Sequence, residues 1–294
     1  MKFIDSIYDI KEKYNLFLFD QWGVIHNGIS LYPNVEKIFK DLLADNKSIY
    51  IVSNSGKKSS DNIERLQKMG AFYILKTEII TSGDVCLDYL NKQKGSCKDI
   101  GYNFYPIGID YPLLKDTQFK KVNNIEDADF LLLTTTAGFN DFKNSHSQME
   151  VALKLQIPLV CSNPDILGIS GKDIHPSTGD LALYYKKIGG KTFIFGKPYV
   201  EIYEYVHSKS SINKDKMLMV GDSLFNDIAG ANNFGIDSLF IKNGIHKENF
   251  SEKSSDIDTI LSIKSDLQIT GVPEFIINEL KWLLILKSLK IRRL

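Results

Sequence analysis

Asp222 and Asp227 stand five residues apart, after Gly221 and across the turn that opens a helix. Hard oxygen ligands at that spacing, with coordination positions left open, suit Mg²⁺, which keeps waters and shares phosphate oxygens with a substrate. A third acid, Asp20, ends a short apolar run and begins Asp20-Gln21-Trp22-Gly23-Val24. A carboxylate there can attack phosphorus and form an acyl phosphate, dividing hydrolysis into two easier steps. Ser53 and Asn54 end another apolar run, where a hydroxyl and a backbone N–H can hold a phosphoryl oxygen. Lys197, within Gly196-Lys197-Pro198, adds a compact positive charge able to neutralise both nucleophile and phosphate. Alone, each residue has an ordinary reading: Asp20 a turn cap, Lys197 a surface lysine, Asp227 a first-turn acid favoured by the helix dipole. Together they supply what phosphoryl transfer through an aspartyl-phosphate needs.

Those residues must be delivered by strands. Residues 16–19 are a short apolar run and predict a buried parallel strand with Asp20 at its C-terminal tip. Val35, Ile38, Phe39, Leu42 and Leu43 repeat at helical spacing, with Pro33 near the first turn. Residues 49–52 predict a second strand, and 59–69 a helix stopped by Gly70. The alternation resumes with strands at 192–195, 217–220 and 238–241 and helices at 200–206 and 226–234. This is the pattern of a doubly wound, Rossmann-like parallel sheet, which binds ligands beyond the carboxyl ends of its strands. Residues 82–189 interrupt it with strand candidates at 104–109 and 130–134 and a helix at 147–154. The expected fold is α/β, with a core of residues 1–81 and 190–270, an inserted α/β cap of 82–189, and a C-terminal helix over 271–294 packed on the core.

Lys plus Arg equals Asp plus Glu at 36 each, so no net field favours nucleic acid or an anionic membrane. Cys86, Cys97 and Cys161 are odd in number, lack CxxC spacing and read as reduced thiols of a cytoplasmic protein. Asp5 and Asp9 interrupt any apolar segment a signal peptide would need. No run approaches the roughly 20 apolar residues of a membrane span.

With these residues assembled, the chain resembles the haloacid dehalogenase superfamily, and more narrowly its class IIA members, which carry an α/β cap between the second and third motifs. Thr81-Ser82-Gly83-Asp84, Ser162-Asn163-Pro164-Asp165, Gly179-Asp180-Leu181-Ala182 and Gly244-Ile245-His246 extend the likeness along nearly the whole chain. The resemblance implies that Asp20 is phosphorylated, that Ser53 binds and Lys197 orients the phosphoryl group, and that Asp222 ligates Mg²⁺ beside Asp20 with Asp227 in support. It also implies a metal ligand in the backbone carbonyl of Trp22, and a homodimer.

One position departs from the family. Its phosphatases carry, two residues after the nucleophile, an Asp that protonates the leaving group and later activates water. Here that residue is Trp22, whose indole N–H donates without useful acidity. General acid–base help is worth about 10²–10⁴-fold, roughly 3–5 kcal/mol of barrier. His26, on the same loop, is a candidate substitute acid/base, against a purely structural role. The expected activity is thus a slow Mg²⁺-dependent phosphatase of a small cytosolic phosphorylated metabolite, with specificity set in the cap near residues 134–141. Two alternatives stay open. One is a non-catalytic or regulatory protein that binds a phosphorylated ligand. The other is a dehalogenase-like C–X hydrolase, which also has an aromatic residue at this position but needs no metal.

Overall fold

Apolar runs buried on both faces build the main sheet. The computed structural model describes residues 1–136, 141–170, 173–250 and 254–280. The chain opens with β1 (Lys2–Phe3), β2 (Leu16–Phe19), α1 (Val35–Ala44), β3 (Ser48–Ser53), α2 (Ser59–Lys68), β4 (Glu78–Thr81) and α3 (Ser82–Asn91). A second group follows: β5 (Asn103–Ile107), β6 (Lys120–Lys121), β7 (Phe130–Leu133), α4 (Phe142–Lys154), β8 (Leu159–Cys161), β9 (Leu167–Ser170), β10 (Asp173–Pro176), α5 (Thr178–Lys187) and β11 (Thr192–Ile194). The last group is α6 (Val200–Ser210), β12 (Met217–Gly221), a π turn at Leu224–Ile228, α7 (Ala229–Phe234), β13 (Asp237–Ile241), α8 (Asp256–Asp266) and β14 (Phe275–Ile277).

Seven strands form one sheet in the order β1-β14-β13-β12-β2-β3-β4, every pair parallel. The chain runs outward in one direction from β2 and in the other from β12. The crevice at a doubly wound sheet's switch point therefore opens between these two strands. Alternate residues face opposite sides. Phe17, Phe19, Ile49, Ile51, Leu218 and Val220 pack against α1 and its neighbours. Leu16, Leu18, Val52, Met217 and Met219 join the other layer, with side chains of α3 and α6. The second sheet, β11-β8-β7-β5-β6, is also parallel, and β9 and β10 form an antiparallel hairpin beside it. The layer under α3 runs on without a break into this sheet through Phe104, Phe130, Leu132, Val160 and Phe195. No helix among the described residues is long and apolar enough to cross a membrane.

Two sequence expectations change. Residues 192–194 were expected in the core sheet that begins at 190, but β11 pairs in parallel with β8 at the edge of the second sheet. The short β8-to-β11 connection through α5 is a local parallel crossover, which keeps the strand in the sheet it has just left. The helix expected over 271–294 does not cover 275–277. Phe275, Ile276 and Ile277 are consecutive and all buried, so they form a strand between β1 and β13 rather than one stripe of a helix. Residues 281–294 lie outside the described residues, as do 137–140 of the expected specificity loop.

Candidate active site

Three strand ends carry the site. Asp20 follows β2, its N–H bonded to the Val220 carbonyl of β12 at 2.9 Å, which continues the parallel ladder past the strand. Asp222 follows β12, and Ser53 closes β3. Asp227 sits on the π turn after Ser223, a kind of insertion frequent at functional sites. One carboxylate oxygen from each of Asp20, Asp222 and Asp227 lies within 4.8 Å of the others.

Lys197 reaches this cluster from the segment after β11, its side chain 2% exposed. Its ammonium pairs with Asp20 Oδ1, with Asp227 Oδ1 at 2.8 Å, and donates to the Val52 carbonyl at 2.8 Å. The contacts to Asp20 and Val52 are hydrogen bonds, and that to Asp227 is an ion pair. Burial works against this charge, but Asp20 and Asp227 outweigh it and hold the lysine above its ordinary pKa. Burial raises the pKa of Asp20. Lys197 pulls it down, Asp227 pushes it up, and the net is upward. Asp222 is raised well above the usual carboxylate range by burial and then by Asp20 and Asp227. Three carboxylates against one ammonium leave two negative charges in a buried site, an arrangement that is costly without a cation. A hard, all-oxygen donor set with that charge excess fits a divalent cation such as Mg²⁺.

The backbone is shaped around these acids. Asp222 Oδ2 accepts from Ile245 N–H at 2.8 Å, which gives the Gly244-Ile245-His246 motif a local task. Asp227 Oδ2 accepts from Ser223 N–H at 3.0 Å. Gly23 has φ of +87°, and a Cβ there would collide with the Asp222 carboxylate, so the loop after β2 closes on the acids only with glycine at this position.

Ser53 and Asn54 divide the duty expected of them. The Ser53 hydroxyl accepts from Ser55 N–H at 3.3 Å, and its own hydrogen has no acceptor among the described residues. The Asn54 side chain is already engaged: Oδ1 accepts from Lys197 N–H at 2.7 Å, and Nδ2 donates to the Lys197 carbonyl at 3.0 Å and to Asp165 Oδ1 at 2.8 Å. Asp165, on the segment before β9, therefore meets the site; the Ser162-Asn163-Pro164-Asp165 pattern marked the position but gave it no role. Of the other cap patterns, Thr81 and Asp84 form a capping box that starts α3.

Trp22 and His26 lie on the loop after β2. The indole packs over Gly28, where a Cβ would strike the ring, and meets the His26 ring edge-on at 5.3 Å. His26 is completely buried, and its Nδ1 accepts from Gly28 N–H at 3.0 Å. An accepting Nδ1 leaves the neutral ring's proton on Nε2, so the Gln21 side-chain amide 3.2 Å away must turn its oxygen, which has no other partner among the described residues, toward the ring. Burial, then the charge of Arg65, pushes this histidine down to about 4. Both nitrogens are occupied by the loop's own groups, so the structure assigns His26 to loop architecture and not to acid/base duty. A histidine that must stay neutral contributes stability that is complete above its unfolded pKa of about 6.5 and is lost as pH falls toward 4. Thermal unfolding between pH 7 and 4 should show a loss of about 3 kcal/mol that His26→Gln flattens. An unchanged slope in the variant would assign the acid lability elsewhere.

A cleft of about 490 Å³ opens beside this loop between Gly28, Ser55 and the face of α2 that carries Arg65 and Lys68, with Lys57 at its rim.

Residues 17–108 match the family model described as haloacid dehalogenase-like hydrolase, and residues 194–265 match a second, HAD-hydrolase-like model. The two matches contain Asp20, Ser53, Lys197, Asp222 and Asp227. The chain belongs to the haloacid dehalogenase superfamily. Phosphoglycolate phosphatase 2 of Arabidopsis thaliana is 26% identical over 266 residues, covering 82% of this chain and 87% of the relative. A crystal structure from Cytophaga hutchinsonii, described as a possible sugar phosphatase, superposes with a TM-score of 0.76 at 27% identity, over 96% of this chain and all of that one. A Brucella suis hydrolase of the haloacid dehalogenase-like family shares the fold, with a TM-score of 0.78 at 23% identity over 95% of this chain and all of that one.

Proposed function

We propose that this superfamily member is a Mg²⁺-dependent phosphatase of a small phosphate ester, working through an aspartyl-phosphate on Asp20. The observation that carries this reading is the convergence of Asp20, Asp222 and Asp227 at the switch point of the sheet, with a buried lysine paired to Asp20 and Asp227. The relatives named above, a phosphoglycolate phosphatase and a possible sugar phosphatase, support the substrate class. Asp20, Asp222, Asp227 and the backbone carbonyl of Trp22 would hold Mg²⁺, which supplies charge neutralisation for the transferring phosphoryl group.

Lys197 fixes Asp20 through Oδ1 and leaves the second carboxylate oxygen to attack phosphorus. The Asp20 O–P bond forms as the ester P–O bond breaks, and the Ser53 O–H and Lys197 stabilise charge on the phosphoryl oxygens. Trp22 has no proton to give the departing oxygen, so an alkyl leaving group must take its proton from water. Water then attacks the phosphorus of the acyl phosphate, frees inorganic phosphate and restores the carboxylate. Hydrolysis of p-nitrophenyl phosphate should proceed with Mg²⁺, stop in EDTA and return when Mg²⁺ is restored. Turnover indifferent to EDTA would overturn the metal-dependent mechanism.

Trp22 itself favours a second reading, a binding protein for a phosphorylated ligand that turns over slowly or not at all. Saturable binding of inorganic phosphate with Mg²⁺, combined with no release from p-nitrophenyl phosphate, would select it.

A further inference from the structure

Asp165, a carboxylate of the inserted segment, reaches Asn54 just past β3 and Asn226 on the turn after β12. It lies on the turn between β8 and β9, held locally by its own N–H to Asn163 Oδ1 at 2.9 Å and by its carbonyl, which accepts from Gly179 N–H at 2.9 Å. A Cβ on Gly179 would collide with Pro164 and Asp165, so this turn and the start of α5 are built against each other. Its Oδ1 accepts from two amides on two different core loops, Asn54 Nδ2 at 2.8 Å and Asn226 Nδ2 at 3.2 Å. Asn226 is the neighbour of Asp227. Asn54 grips the main chain of Lys197 from both sides, through its N–H and its carbonyl.

We propose that Asp165 is a positioning residue that the cap contributes to the active centre: it orients Asn54, and through it Lys197, for phosphoryl transfer. An amide side chain can present its oxygen and its NH₂ to Lys197 in only one orientation, and its second N–H must then point away. Asp165 supplies the acceptor at that point. It also ties the Asn226 turn to the same oxygen, so two of the loops that carry active-site residues share one anchor. Without Asp165, the Asn54 amide keeps its two bonds to Lys197 but loses the third that anchors it, and the backbone from which Lys197 spans Asp20, Asp227 and Val52 is held less firmly.

The inference rests on the phosphatase reading, and two separate measurements test it. In steady-state hydrolysis of p-nitrophenyl phosphate with Mg²⁺, Asp165→Ala should lower kcat about 10–100-fold, the scale of a sub-ångström misplacement of a reacting group. KM should move little, as expected of a residue that acts through Asn54 and Lys197. Asp165→Asn keeps an acceptor oxygen and should stay within about fivefold of wild type. The double variant with Asn54→Ala should be no slower than Asn54→Ala alone, since both act along one path. In parallel, hydrogen exchange at the Lys197 amide, which donates to Asn54, should be faster in Asp165→Ala than in wild type. A variant with lowered Tm but unchanged kcat, a multiplicative double variant, or unaltered exchange at Lys197 would each overturn the assignment. A wild-type protein without turnover would defeat the phosphatase reading alone. The exchange measurement would then still decide whether Asp165 holds the Asn54–Lys197 frame.

Discussion

Asp20→Asn should abolish Mg²⁺-dependent hydrolysis of phosphate esters, by at least about 10⁴-fold, the scale seen when an enzyme's nucleophile is removed. The amide is nearly isosteric with the carboxylate, and its oxygen can still accept from the Lys197 ammonium. The lysine also keeps Asp227 and the Val52 carbonyl as partners. The change therefore removes the nucleophile with little effect on packing, and circular dichroism melting should find the variant folded. Removing a carboxylate also relieves the repulsion that raises Asp222, so the Tm of the metal-free variant should equal or exceed that of wild type. Retained turnover in a folded Asp20→Asn would remove Asp20 as nucleophile and leave the acid cluster as a binding site only.

Trp22→Asp should raise turnover of alkyl phosphates by about 10²-fold or more, part of the range available to general acid–base catalysis. The gain should be much smaller for p-nitrophenyl phosphate, whose leaving group departs without a proton. The discriminating quantity is the ratio of the two gains, measured on the same preparation, because it cancels any change in the amount of folded enzyme. Some destabilisation is expected. The loop after β2 is shaped to the indole, with Gly28 bare beneath the ring and His26 against its edge, and an aspartate leaves that space unfilled. Equal gains on both substrates, or a loss on both, would show that the missing acid does not limit this protein.

The parts of the fold that could be read in advance are those whose signal is local. β2 is a short, wholly apolar run, β3 has an apolar centre between Ser48 and Ser53, and α1 repeats its apolar side chains at helical spacing. Asp20, Lys197, Asp222 and Asp227 were visible because each follows or opens an element whose end the chain itself marks. What escaped depends on contacts distant in sequence. Asp165 meets Asn54 across 111 positions, and neither residue's neighbours encode that meeting. The sheet that receives β11 is decided by which neighbour is free to pair, and three half-buried residues carry no mark of it. The Phe275–Ile277 triplet fitted a helical stripe as easily as a strand until its burial on all sides was known. His26 was ambiguous for a related reason: its role is set by Gln21 and Gly28, two groups whose orientation no pattern reveals.

The pairing of β11 with β8 bears on how far the inserted segment can be treated as an exchangeable module. Swapping it between relatives at positions 82 and 189 would detach β8 from its outer partner and expose a bare strand edge. It would also leave Lys197 attached to a strand with no ladder to hold it. Junctions placed after residue 195 would spare that ladder, yet still cut the apolar layer that joins α3 to Phe104 and Phe130 and discard the Asp165 anchor. The smallest unit that can be recombined while keeping this site whole is therefore the cap together with its Asn54, Asn226 and α3 contacts. Substrate range in such a protein should shift more readily by point changes within the cap than by transplanting it.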